Sequence, residues 1–343
     1  MYSIATALVS VMAVSAGLYA QPRVTDHIAS VTPIERAGTV PYSFRMLDVS
    51  HGWGIGEASV LMATSDGGSS WHKVDMGMIG PDWGITSDGG AWAIVPTFAT
   101  KPSTGLWKAD SSGRVSPVPT PCNLDPMCYW SDAAFDQTGR DGVLFGLVES
   151  HGDLSRLLAY QTHDGGRHWS PLAVPNLDVY RGRFQVGISN DGEVLLNLEC
   201  KFYLTSDWGR SWKKSDPAQS PAEMCGEYGN PYTIRFVAGR RVWLRTYGGD
   251  VLYSDDDGLS WTLSSLRVRN RVIPNTRDEW VSFADEAHGL AIIDARVFAT
   301  QDKGQHWVSL TDPTQRFSAV SCAAARCLLL SEGGDLSEVR FNK

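Results

Sequence analysis

The chain has 343 residues, with 30 Lys and Arg against 38 Asp and Glu and a formal charge of −8. That balance excludes wholesale binding to nucleic acid or anionic membranes, and six cysteines, an even number, fit an oxidising compartment. The high counts of Gly (34) and Trp (13) belong to a repeat taken up below.

Residues 1–20, "MYSIATALVSVMAVSAGLYA", carry no charged side chain and close on Leu18-Tyr19-Ala20. An apolar run ending on a small residue predicts a signal peptide, mature protein from Gln21, and export to periplasm or medium. An uncleaved anchor is the alternative, since the run is of bilayer length. No later run approaches that length, so no other membrane span is expected, and residues 21–343 are read as a single domain.

Further along, apolar runs of four to seven residues rich in Val, Leu, Tyr and Phe alternate with Gly, Asp and Ser. They predict antiparallel strands joined by hairpins, and no amphipathic helix. Five octapeptides punctuate them: "TSDGGSSW" (64–71), "THDGGRHW" (162–169), "TSDWGRSW" (205–212), "SDDDGLSW" (254–261) and "TQDKGQHW" (300–307). All obey Ser/Thr-x-Asp-x-Gly-x-x-Trp. Their tryptophans are spaced by 43 to 49 residues, except for a first gap of 98 that hides one unmarked unit. The residues after Trp307 suffice for most of a seventh. Seven units of about 45 residues predict an all-β fold, a seven-bladed β-propeller of four-stranded antiparallel blades. The last blade has room for only three strands, so residues near 24–34 are expected to supply its fourth and close the ring.

The octapeptide reads as a structural clip. Its Asp can accept backbone N–H groups of its own turn, its Gly permits positive φ, and its Trp buries a ring beside the turn. The structural residues expected are Asp66 and Trp71, Asp164 and Trp169, Asp207 and Trp212, Asp256 and Trp261, and Asp302 and Trp307. "TSDGGAW" (86–92) is one residue short and falls half a unit after the first clip, so it is read as an ordinary hairpin turn of the unmarked second blade.

The five octapeptides resemble the Asp-box, or bacterial neuraminidase, repeat of sialidases, sortilin-type receptors and several glycanases. The longer phrase "DVSHGWGIGEASVLMATSDGGSSW" (48–71) is most similar to exported repeat proteins related to the photosystem II assembly and stability factor. "FSAVSCAAARCLLLSEGGDL" (317–336) resembles the Cys-flanked variant of the same repeat. The resemblance implies a seven-bladed propeller without enzymatic activity that serves as an assembly or binding platform. It further implies a functional face opposite the boxes. The sequence holds no cofactor or metal motif, so none is expected.

The rival class is a sialidase-like glycosidase, which would need three arginines around a carboxylate with a Tyr/Glu pair and an Asp acid. The nearest match to the first arginine motif is Phe44-Arg45-Met46-Leu47, which lacks its Ile and Pro, and Arg45 is read as an exposed arginine. His51, His151 and His288 each precede Gly and are read as one recurring structural position. Asp255-Asp256-Asp257 could suggest calcium, but Asp256 is already a clip residue, so solvated acids are expected there.

With strands ordered outward from the axis, the clip is the turn between the third and fourth strands. Turns between the second and third strands, and the loops between blades, share the opposite face. Sorted this way, Cys200 and Cys225 fall together on that face, Cys122 and Cys128 close one inter-blade loop, and Cys322 and Cys327 clip a hairpin. These pairs are hypotheses among 15 connectivities. The same face would carry Tyr180, Arg181, Arg183, Tyr228, Tyr232, Tyr247, Arg267, Arg269, Arg271 and Arg277. Residues 235–277 hold eight arginines against four acids. Exposed Arg and Tyr are frequent anchors of binding surfaces and would favour an acidic partner, protein or glycan. Arg267, Arg269 and Arg271 also alternate as on an outer strand, where charge guards a sheet edge.

Overall fold

A computed structural model describes residues 29–35, 37–80, 82–96, 104–121, 128–149, 154–175, 178–180, 184–189, 191–198, 201–215, 233–236, 241–245, 250–267, 280–311 and 314–342. Strand β1 (Ala29–Pro33) comes first. Blade 1 holds β2 (Ser43–Met46), β3 (Gly52–Gly56), β4 (Val60–Thr64) and β5 (His72–Met78). Blade 2 holds β6 (Trp83–Ile85), β7 (Ala91–Pro96), β8 (Thr104–Ala109) and β9 (Val115–Val118). In blade 3, β10 (Cys128–Phe135), β11 (Gly142–Glu149), β12 (Leu154–Thr162) and β13 (Ser170–Pro171) are joined by β14 (Asp178–Tyr180). Blade 4 is β15 (Phe184–Ile188), β16 (Val194–Leu198), β17 (Lys201–Thr205) and β18 (Lys213–Ser215). Blade 5 is β19 (Thr233–Phe236), β20 (Val242–Arg245), β21 (Asp250–Ser254) and β22 (Thr262–Arg267). Blade 6 is β23 (Val281–Phe283), β24 (Gly289–Ile293), β25 (Arg296–Thr300) and β26 (Val308–Ser309). Blade 7 is β27 (Phe317–Ala323), β28 (Arg326–Ser331) and β29 (Leu336–Phe341).

Each blade is an antiparallel meander in chain order, and the seventh is completed by β1 in the order β1-β29-β28-β27. Ala29 registers with Phe341 and Pro33 with Ser337. The fold is therefore a seven-bladed β-propeller whose N-terminal strand closes the ring. First strands of neighbouring blades touch, β2 with β27, β10 with β15, β15 with β19 and β23 with β27, which places them around the axis.

Burial follows from position in the blade. Second strands lie between two neighbouring blades and are covered on both sides: "GWGIG", "VLLNL" and "GLAII" are buried at every residue. Such strands read as continuous apolar runs. Outer strand β5 has one wet face and alternates instead, with Val74 and Met76 inward. The core is accordingly divided into seven apolar layers, one for each pair of adjacent blades. The layer that closes the ring joins Phe44 and Met46 of blade 1 to Ala319, Leu328, Leu330 and Leu336 of blade 7.

Several hairpins are as tight as the chain allows. Asp294-Ala295 and Ala324-Ala325 link their strands with φ of 52° and 62°, and 48° and 65°. Two successive positive φ values match the twist of the flanking strands, although L-residues adopt them at a cost. Cys322 and Cys327, bonded to each other, face across the second of these hairpins.

"TSDGGAW" is the turn between β6 and β7, as expected of an ordinary hairpin. Its Thr86 hydroxyl donates to Asp88 at 2.5 Å.

Candidate functional site

The antiparallel order divides the turns into two sets. Turns between first and second strands, and between third and fourth, lie at one end of each blade. The remaining turns and the inter-blade segments lie at the other. Backbone bonds tie the first set together: Gly67 N–H donates to Ser50 O at 2.8 Å and Gly165 N–H to Arg140 O at 2.8 Å. We call this end the clip face.

All five octapeptides fold identically. The leading Thr or Ser hydroxyl donates to Asp Oδ1 at 2.7–2.9 Å and accepts the amide of the clip Gly at 2.8–3.0 Å. The residue before Trp donates its amide to Asp Oδ1 at 2.8–2.9 Å. Its side chain, Ser in three copies and His in two, donates to Oδ2 at 2.6–2.7 Å. That position looks variable in the sequence yet is Ser or His every time, a signal the sequence reading passed over.

These bonds set the acidity. Ser211, through hydroxyl and amide, draws Asp207 down to about 2, and His168 holds Asp164 lower still. At Asp66, Asp256 and Asp302, partial burial pushes the other way, but the clip hydrogen bonds outweigh it and the groups remain more acidic than usual.

The clip also reaches its neighbour. A Cβ on Gly166 would lie 2.6 Å from Val118 of blade 2, and one on Gly304 would lie 2.5 Å from the Trp243 ring of blade 5. Each clip Trp joins the apolar layer shared with the preceding blade. Trp169 Nε1 donates to Pro119 O at 2.8 Å and Trp212 Nε1 to Ala173 O at 2.7 Å, both on the preceding blade. These rings are half-buried. Basic side chains of the preceding blade meet the carbonyl just after the clip Asp: Lys108 reaches Gly165 O at 3.0 Å, Arg326 reaches Gly67 O at 3.2 Å, and Arg241 reaches Lys303 O. Lys108 lies 4.2 Å over the Phe135 ring, and burial lowers its pKa against the pull of Asp88 and Asp136. Sequence reading found a hairpin clip with its own anchor. The structure shows a latch between blades.

Two readings are corrected here. Arg45 donates to Trp83 O at 2.7 Å and lies 4.6 Å from that ring, so it bridges blades 1 and 2 rather than standing free in solvent. His51 and His288 do share a position, each closing a first hairpin by bonding Asp48 at 2.9 Å and Asp285 at 2.8 Å. His151 lies outside the described residues. The acidic run is not uniformly solvated: Asp255 pairs with Arg241 at 2.6 Å, and Asp257 is buried with φ of 60°.

Of the expected binding residues, two fall on strands. Tyr180 ends β14, in register with Leu154, so segment 173–183 is partly an added strand and not simply a loop. Arg267 ends β22 opposite Asp250, on the outer strand of blade 5. Arg181, Arg183, Tyr228, Tyr232, Tyr247, Arg269, Arg271 and Arg277 lie outside the described residues, as do Cys122, Cys200, Cys225 and residues 1–28; Cys128 opens β10. Among the described residues, three neighbouring recesses open on the clip face across blades 2 to 4, of about 370, 880 and 590 Å³. No helix there is long and apolar enough to cross a membrane.

No family profile matches the chain. The photosystem II assembly protein Ycf48 of Thermosynechococcus vestitus is 27% identical over 286 residues, spanning 78% of this chain and 72% of that protein. The chain is similar to Ycf48. A solved Ycf48 bound to a D1 peptide superposes with a TM-score of 0.59 at 17% identity, covering 92% of this chain and 97% of that one. Ycf48 from Cyanidioschyzon merolae gives 0.54 at 14%, covering 91% and 98%. A catalytically inactive virginiamycin B lyase from Staphylococcus aureus with quinupristin gives 0.58 at 12%, covering 91% and 99%. At these identities the structural matches speak to fold alone. The curated relative is named as an assembly protein.

Proposed function

We propose that this chain is a non-enzymatic assembly scaffold that binds a protein partner through the face opposite the clips. The observation that carries this reading is its similarity to Ycf48 along most of both chains. A solved Ycf48 carries a D1 peptide, which favours a polypeptide partner over a glycan here. The division of labour within each blade supports the choice of face. The clip hydrogen bonds and tryptophans serve to hold blades together, whereas strand order assigns the Arg- and Tyr-bearing segments to the opposite ends. Tyr180, Arg181, Arg183, Tyr228, Tyr232, Tyr247, Arg267, Arg269, Arg271 and Arg277 are the candidate contacts, and their charge favours an acidic segment of the partner. The apolar leader 1–20 fits export.

The sialidase-like alternative loses its one motif-based arginine, since Arg45 is engaged with Trp83. Affinity capture with the mature chain, Arg269→Glu/Arg271→Glu, and Arg114→Glu as a clip-face control tests the reading. One protein should be enriched by the parent and the control and lost with the double variant. Equal capture by all three would overturn the choice of face, and turnover of a fluorogenic sialoside would overturn the non-enzyme reading.

A further inference from the structure

The residue after the clip Asp takes positive φ in every copy: 72° at Gly67, 74° at Gly165, 55° at Trp208, 60° at Asp257 and 63° at Lys303. Two copies use Gly, the residue this conformation suits, and Asp tolerates it. Blade 4 uses a tryptophan. A bulky aromatic held left-handed where two other copies use Gly is a local conflict, and such conflicts cluster where a site is being built. Trp208 lines the recess of about 590 Å³ between blades 3 and 4 on the clip face. His163 stands edge-on to it, with ring centroids 4.6 Å apart at 84°. Gln161 lines the same recess, and its Oε1 is buried with no hydrogen-bond partner. Rotation about the soft terminal torsion of that amide would turn either an acceptor or a donor into the space.

We propose that this recess is a subsite for a neutral saccharide, stacked on Trp208 and hydrogen-bonded by Gln161, His163, Asp207 and Arg210. One carboxylate and one guanidinium line it, so it has no net pull on an ion. Planar groups that both donate and accept suit a ligand rich in hydroxyls, and an aromatic ring suits the C–H face of a pyranose. The volume lies within the range of about 300–1,000 Å³ usual for small-molecule sites. A peptide docking by strand addition would need a free strand edge. The strand bordering the recess, β13, is two residues long, and one of them is Pro171, which has no N–H to offer. The site is separate from the face assigned to the protein partner and stands or falls without it.

Saturation-transfer difference NMR on the mature chain with maltotriose, cellotriose and triacetylchitotriose, each at millimolar concentration, tests the assignment. At least one sugar should receive saturation from the parent protein, and the signal should fall at least fivefold in Trp208→Gly and in Gln161→Leu. Trp208→Gly installs the residue two other clips carry, and Gln161→Leu removes an unpaired buried acceptor, so Gln161→Leu should melt within a few degrees of the parent. Lys303→Gly, the same change in blade 6, should leave the signal intact, as should Arg269→Glu. No transfer to any of the three sugars, or undiminished transfer in Gln161→Leu, overturns the proposal. Transfer to a blocked proline-rich peptide that is lost in Trp208→Gly, with none to the sugars, overturns the saccharide assignment in favour of a peptide.

Discussion

At the clip end of blade 6, Asp302 is bonded to Thr300 and His306, Trp307 lies in the layer shared with blade 5, and Arg241 of blade 5 bonds the carbonyl of Lys303. At the corresponding end of blade 2, a five-residue turn does the work with less. Asp110 accepts the amides of Ser112 and Arg114 and the Ser112 hydroxyl, and no Trp follows. Both turns satisfy their backbone, but only the first also grips a neighbour. A marked blade is therefore joined to the one before it by core packing and a latch, and blade 2 to blade 1 by core packing, the Arg45 bridge and the Trp53 indole bond to Gly89 O at 3.0 Å. The repeated sequence encodes the latch and not the blade.

This contrast can be broken at graded cost. Starting the chain after residue 40 removes β1 and leaves blade 7 with three strands. Calorimetry should then show loss of the single cooperative transition, and an unchanged melt would disprove closure by β1. Acid comes next, because it acts on every clip together. Each clip carboxylate is more acidic folded than unfolded, so its stabilising contribution is complete above about pH 4 and is lost as pH falls toward 2. Melting temperature should fall steeply across that window and be flat above it. Trp307→Ala should cost about 2–3 kcal/mol in urea unfolding, less than a fully buried Trp because the ring is half-exposed. Asp302→Ala should cost about 1 kcal/mol, allowing for solvent around the carboxylate. Smallest, and opposite in sign, Lys303→Gly relieves a φ of 63° and should stabilise by about 0.5 kcal/mol, the strain relief exceeding the added chain entropy.

The fold was legible because its signals are local and repeated. Asp66 and Trp71 have a fixed spacing with four copies downstream, strand runs keep a short period, and the shortfall after Trp307 called for a strand from elsewhere. The short "TSDGGAW" was separable by phase alone. What escaped the sequence needed a neighbour in space. Trp169 is an ordinary hairpin anchor until Pro119, fifty residues earlier, is found beside its indole. Lys108 and Arg326 carry no mark of the carbonyls they cap. The left-handed position after the clip Asp was hidden because Gly, Trp, Asp and Lys share no chemistry, only a backbone angle. The binding residues were the least legible, since a partner's surface imposes no period on the chain that meets it.

Ring closure by β1 also fixes an orientation. Ala29 registers with Phe341, the last residue of β29, so the chain enters and leaves the propeller side by side. Both residues lie at the clip end of blade 7, because β29 runs from the opposite face toward that end. Chain joined directly to Ala29 or Phe341 therefore leaves from the clip side. A propeller hung from a surface by its N-terminus would present its other face outward, like a dish held from behind. The location of the seam decides which side of the molecule is left for partners.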